Sequence, residues 1–118
     1  MKGMVIKMTY SDVYTQALTY TGETAASTAV SDYSDRADYL FPGVLARLIS
    51  SSNALGTTVT LPSTVKVEKT TTFPMDDKLV PVAAMFLAAY LVAAENPSLS
   101  TQLIKIADAA LNSVVPSN

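Results

Sequence analysis

Sixteen consecutive residues, Leu79 to Ala94, carry no charge, and this run limits what the chain can fold into more than any other feature. It is shorter than the roughly 18 apolar residues that a membrane-spanning helix wants, it contains Pro81, and it lacks basic flanks. The run therefore predicts a helix inside a protein core, from about Met75 to Glu95. Leu79, Val82, Ala83, Phe86, Leu87, Tyr90, Leu91 and Ala94 recur at helical spacing as one stripe. The opposite face, with Val80, Ala84, Met85, Ala88, Ala89, Val92 and Ala93, is almost as apolar, so the helix needs cover on nearly all sides. Leu79, Phe86, Leu87, Tyr90 and Leu91 are its expected core residues. Asp76 and Asp77 stand where the positive end of a helix dipole favours carboxylates.

What covers this helix must come from the other hundred or so residues, a length suited to one domain. Tyr10, Val13, Tyr14, Ala17 and Leu18 predict a first helix from about Ser11 to Tyr20, with Ser11 as its cap and Gly22 as its stop. Small polar residues from Glu23 to Ser31 predict a loop. A second helix is predicted from about Asp32 to Ile49, with Tyr33, Ala37, Leu40, Phe41, Val44, Leu45, Leu48 and Ile49 on one broad face. Pro42 falls inside it, but the apolar face keeps its phase across the proline, which favours a kinked helix over two separate ones. Asn96 and Pro97 end the central helix. Ser98 is the expected cap of a fourth helix that runs to about Val114 and is stopped by Pro116.

Between the second and third helices the chain changes character. Residues 57–73 are rich in Thr and Val and interrupted by Pro62, so two short strands or an extended arm are expected there. An isolated two-stranded hairpin is marginal in water, and it needs either the helices or a neighbouring subunit to lie against. The predicted fold class is thus mainly α: a small four-helix domain over residues 9–115, with a short β-hairpin or arm between helices 2 and 3. Residues 1–8 are expected to be a flexible leader, and their apolar stretch is too short for a signal peptide core.

Composition narrows function by exclusion. The chain has no cysteine and no histidine, which removes disulfides, thiolate zinc sites, Ser-His and Cys-His nucleophiles and His-ligated metals. Eight basic against ten acidic residues leave no excess of positive charge to neutralise phosphates or anionic lipid. The four glycines, Gly3, Gly22, Gly43 and Gly56, are isolated, so no phosphate-binding loop is present. Asp32, Asp35 and Asp38 form the densest acidic cluster, yet no calcium-loop pattern follows them, and the spacing fits a solvated first helical turn. Asp76 and Asp77 lie roughly 27 Å along a helix from Glu95, too far to act as an acid–base pair. The six tyrosines read first as core edge, next as protein interface and last as a base-stacking platform. The residues point to a non-enzymatic protein without catalytic, metal-binding or cofactor-binding residues, one that binds other proteins. At 49% hydrophobic and 15% charged, it has apolar surface to share.

The order of parts carries a resemblance. A short helix, a second helix, a Thr-rich excursion and then Phe73-Pro74-Met75-Asp76-Asp77-Lys78-Leu79 opening a long apolar helix resemble the head-tail connector proteins of tailed bacteriophages and prophages. Pro74, Asp76, Asp77, Leu79, Tyr90, Glu95 and the Pro97–Leu111 segment fit that outline. An arginine frequent inside the long helix of that family has no counterpart between Leu79 and Ala94. The resemblance implies a structural virion protein: a ring of about a dozen identical subunits beneath the portal, with two different complementary faces on each subunit. Its partners would be itself, the portal and tail-completion proteins, with no sequence-specific nucleic acid and no membrane. Its place would be the head-tail junction, after assembly from the bacterial cytoplasm. The arm would reach a neighbour by edge pairing through Thr58, Val59, Leu61, Val65, Val67 and Phe73. On this reading, deleting 57–72 leaves a folded helical monomer that cannot assemble. The alternative is a small helical interaction or regulatory domain unrelated to virions.

Overall fold

The computed structural model describes residues 7–22 and 29–114 and contains four helices in the order foreseen. Most of the predicted 1–8 leader and most of the 23–31 loop lie outside the described residues. Helix α1 spans Tyr10–Thr21, α2 Ala29–Ala54, α3 Val80–Val92 and α4 Pro97–Val114. The central position of α3 follows from its all-round apolar surface: it packs most extensively on α4 and α1, and also on α2. Val80, Val82, Ala83, Ala84, Phe86, Leu87, Ala88, Ala89, Leu91 and Val92 are all buried. Of the expected core residues of this helix, Leu79, Phe86, Leu87 and Leu91 are fully enclosed and Tyr90 is half-buried. Each large side chain enclosed in this way stabilises the fold by about 1.5–3 kcal/mol.

The helix ends differ from the sequence expectations, each for a local reason. Thr9 rather than Ser11 caps α1: Asp12 N donates to Thr9 Oγ1, and the Asp12 carboxylate accepts from Thr9 N at 2.7 Å, closing a reciprocal box. Helix α3 begins at Val80, not Met75, after a single 3-10 turn at Asp77–Leu79 capped by Asp76, whose Oδ1 accepts from Lys78 N at 2.8 Å. Pro81 then sits in the first turn, where a missing N–H leaves no bond unmade. Asn96, not Ser98, caps α4 through Leu99 N at 3.1 Å, with Pro97 as the first helical residue.

Helix α2 continues beyond Ile49 through the serine run to Ala54. Ser52 is fully buried, its hydroxyl donates to Thr57 O at 2.8 Å, and Gly56 at φ 97° turns the chain out of the helix. Tertiary burial here outweighs the weak helix propensity of serine. Helices α3 and α4 approach closely through small residues. Buried Ser100 donates its hydroxyl to Ala89 O across the two helices at 2.8 Å, and Ala107 is fully buried on the same face.

Among the described residues there is no strand, and the expected hairpin pairing within 57–73 is not formed. One isolated bridge, Thr9 with Thr72, joins this segment to the start of α1. The reason lies in what the backbone bonds to instead. Tyr10 N donates to Thr71 O at 3.1 Å, Ser11 N to Lys69 O at 2.9 Å, and Phe73 N to Met8 O at 2.8 Å. Residues 69–73 thereby satisfy the first donors of α1, which a helix start leaves open.

Candidate interaction site

The site is assembled around Pro42. A proline in a helix leaves the carbonyl four residues earlier without its usual donor, and here that carbonyl is Asp38 O. Val67 N supplies the bond at 2.9 Å. Beside it, Lys69 Nζ donates to Asp38 Oδ1 and to Ser34 O, each at 2.6 Å, and lies 5.0 Å from the centre of the Tyr14 ring. Both members of the Lys69–Asp38 pair are largely enclosed, at 20% and 13% side-chain exposure, and the geometry is that of a charge-assisted hydrogen bond. The helix therefore passes Pro42 unbroken, and its open carbonyl becomes a docking point for the 57–73 segment.

That segment is held at its two ends. Thr57 N donates to Ser52 O at 3.0 Å and Val67 N to Asp38 O, while among the described residues no backbone hydrogen bond is made by 58–66 to any other part. Of the six residues expected at an oligomer interface, Val59, Val67 and Phe73 are buried in the chain's own core. Phe73 stacks edge-on to Tyr10 at 5.8 Å, and Tyr10 meets Phe41 at 4.7 Å. These three side chains are thus engaged within the chain itself. The other three, Thr58, Leu61 and Val65, are exposed, Leu61 at 41% and Val65 at 77%. The segment is an anchored loop with an apolar tip.

A second apolar surface lies between α2 and the end of α3, a groove of about 380 Å³ lined by Arg36, Tyr39, Leu40, Tyr90, Ala93 and Ala94. Tyr39 is 57% exposed there. Arg36 fixes the groove's end: its guanidinium donates to Leu91 O in the last turn of α3, lies 3.1 Å from Asp32 and 3.5 Å from Glu95, and sits over the Tyr33 ring. The carbonyls that α3 leaves open at its C-terminus and the cation of Arg36 attract each other. Arg47 bridges elsewhere, over the buried Phe86 ring at 4.7 Å and 3.6 Å from Asp108 of α4.

The acidic cluster resolves into separate roles. Asp32 pairs with Arg36, Asp38 with Lys69, and Asp35 is exposed. No group of three possible metal ligands occurs among the described residues. The tyrosines also divide: Tyr10, Tyr14 and Tyr33 are buried, Tyr20 and Tyr90 half-buried, and Tyr39 exposed in the groove. Burial pushes the Tyr10 hydroxyl up to about 12 and raises that of Tyr14 as well. The groove went unforeseen because Arg36 and Tyr39 come from α2, Tyr90 from the end of α3 and Ala93 and Ala94 from the turn after it, and nothing in the sequence sets how the two helices cross.

No helix among the described residues is long and apolar enough to cross a membrane. No family model, curated protein or solved structure matches the chain. The class that the fold and site define is a small helical domain with two distinct apolar surfaces.

Proposed function

We propose that this chain is a structural subunit that assembles with copies of itself, and that its setting is the head-tail connector of a tailed bacteriophage or prophage. The observation that carries self-assembly is the pairing of an anchored loop bearing exposed Leu61 and Val65 with a separate groove centred on exposed Tyr39. Two unlike apolar surfaces on one small domain suit head-to-tail association, which closes into a ring when the rotation between subunits allows it. The virion setting rests on the order of parts from Thr9 to Val114, with the Pro74-Met75-Asp76-Asp77 step before an apolar helix.

In this role the helical body is a rigid block and the loop is a connector whose own backbone groups are open to pairing. Quantitative mass spectrometry of tail-bearing particles purified after induction tests the setting directly. About a dozen copies of the chain per particle is the expected result for a closed ring of this kind. Absence of the chain from intact particles overturns the virion role and leaves the interaction-domain alternative.

A further inference from the structure

We infer that the tip of the 57–67 loop of one copy occupies the groove between α2 and the end of α3 of a second copy. This rests on the self-assembly reading above and specifies the surfaces that meet. Tyr39, Leu61, Val65 and Ile106 are the large hydrophobic side chains left exposed among the described residues. Two of them lie on the loop tip and one in the groove, so three of the four are accounted for by a single contact. Burying Leu61 and Val65 against Tyr39, Leu40 and Tyr90 removes these apolar side chains from water without disturbing the core.

The loop does not fill its own groove. Thr57 is tied to Ser52 and Val67 to Asp38, and Leu61, Val65 and Tyr39 all remain in solvent. Between the ties, the backbone of 58–66 makes no hydrogen bond to other described residues, so it can bond to a partner without breaking anything in its own subunit. The two tyrosine hydroxyls of the groove supply polar atoms for such bonds.

Charge selects the same match. Lys66, exposed and next to Val65, is the one charged residue between Leu55 and Val67. Asp32, Asp35, Arg36 and Tyr39 share a face of α2 at three- and four-residue spacing, and Glu95 follows the end of α3. At the edge of the groove Asp32 and Glu95 flank the single guanidinium of Arg36, at 3.1 and 3.5 Å, so the rim keeps one negative charge in excess for an apolar finger that carries one lysine. A groove taking a partner of opposite design, such as an acidic segment, is disfavoured by the same charges.

Two substitutions at exposed positions test the contact without touching the core: Val65→Asp on the loop and Tyr39→Asp in the groove. Circular dichroism and thermal melting confirm that each variant is folded, and sedimentation velocity reads the assembly. The wild-type chain is expected to form species larger than a dimer at high concentration. Each variant alone is expected to be monomeric, with subunit affinity weakened by about tenfold or more, as for loss of a central contact. An equimolar mixture of the two variants is expected to form a one-to-one heterodimer and stop, because one intact loop and one intact groove remain. Variants that assemble like wild type overturn the contact while leaving self-assembly standing, and so does a mixture that stays monomeric. A wild-type chain that remains monomeric overturns both. If that monomer also loses incorporation into particles on Tyr39→Asp, the groove belongs to a different protein.

Discussion

Tyr10 shows how one side chain can report on the whole packing scheme. It is 3% exposed, wedged between Phe41 of α2 and Phe73 of the loop. Burial penalises the phenolate, so the hydroxyl loses its proton near 12 in the folded chain against 10.0 when unfolded. The sign follows: below pH 10 both states hold the proton and stability is unaffected, whereas from pH 10 to 12 the unfolded state alone ionises and stability falls. A loss of roughly 2–3 kcal/mol by pH 12 is expected from this residue. Urea titrations from pH 9 to 12 should show a shallower alkaline decline for Tyr10→Phe than for the wild-type chain. Tyr14, raised for the same reason, leaves part of the decline in place. Equal declines in the two proteins would mean that the ring, but not the hydroxyl, is enclosed.

Among the elements, α2 is the one whose behaviour depends most on its neighbours. Its apolar periodicity and the phase kept across Pro42 were legible in the sequence. Its true ends were not: Ala29–Val30 and Ser50–Ala54 lie outside the expected Asp32–Ile49 span, and at the C-terminal end the burial of Ser52 offsets the weak helix propensity of serine. The proline's consequence also needed the structure, because the donor to Asp38 O is Val67, 29 positions away. Pro42→Ala restores an N–H that competes for that carbonyl. Amide exchange at Val67 should then quicken about fivefold, corresponding to about 1 kcal/mol for one hydrogen bond. Unchanged exchange would show that Asp38 O accepts both donors through its two lone pairs. The caps divide in the same way at smaller scale. Ser11 and Ser98 were reasonable caps by residue type, but Thr9 and Asn96 hold the bonds, whereas Asp76, expected at the start of the central helix, does cap the turn that opens it.

For the molecule as a whole, the 57–73 loop is both a cover for the core and a candidate connector, and the two roles fall on different residues. Val59, Val67 and Phe73 face inward, while Leu61 and Val65 face solvent. Deleting 57–72, which the sequence suggested would spare a folded body, is therefore expected to unfold it. The deletion removes two buried valines at about 1.5–3 kcal/mol each, the Lys69–Asp38 pair and the acceptors for Tyr10 N and Ser11 N. Against a total stability of about 5–15 kcal/mol, that is expected to abolish the cooperative helical transition in circular dichroism. A deletion variant that still melts cooperatively would return the loop to the status of a detachable arm. What the sequence determined by itself is the helical class and the central place of α3, because a helical stripe whose opposite face is also apolar demands burial wherever the chain goes. Tertiary structure alone decided that the Thr-rich segment binds a proline-freed carbonyl instead of pairing with itself, and that α2 and α3 enclose a groove. Both depend on which unsatisfied groups happen to meet in space, and residues far apart in sequence carry no local signal of that meeting.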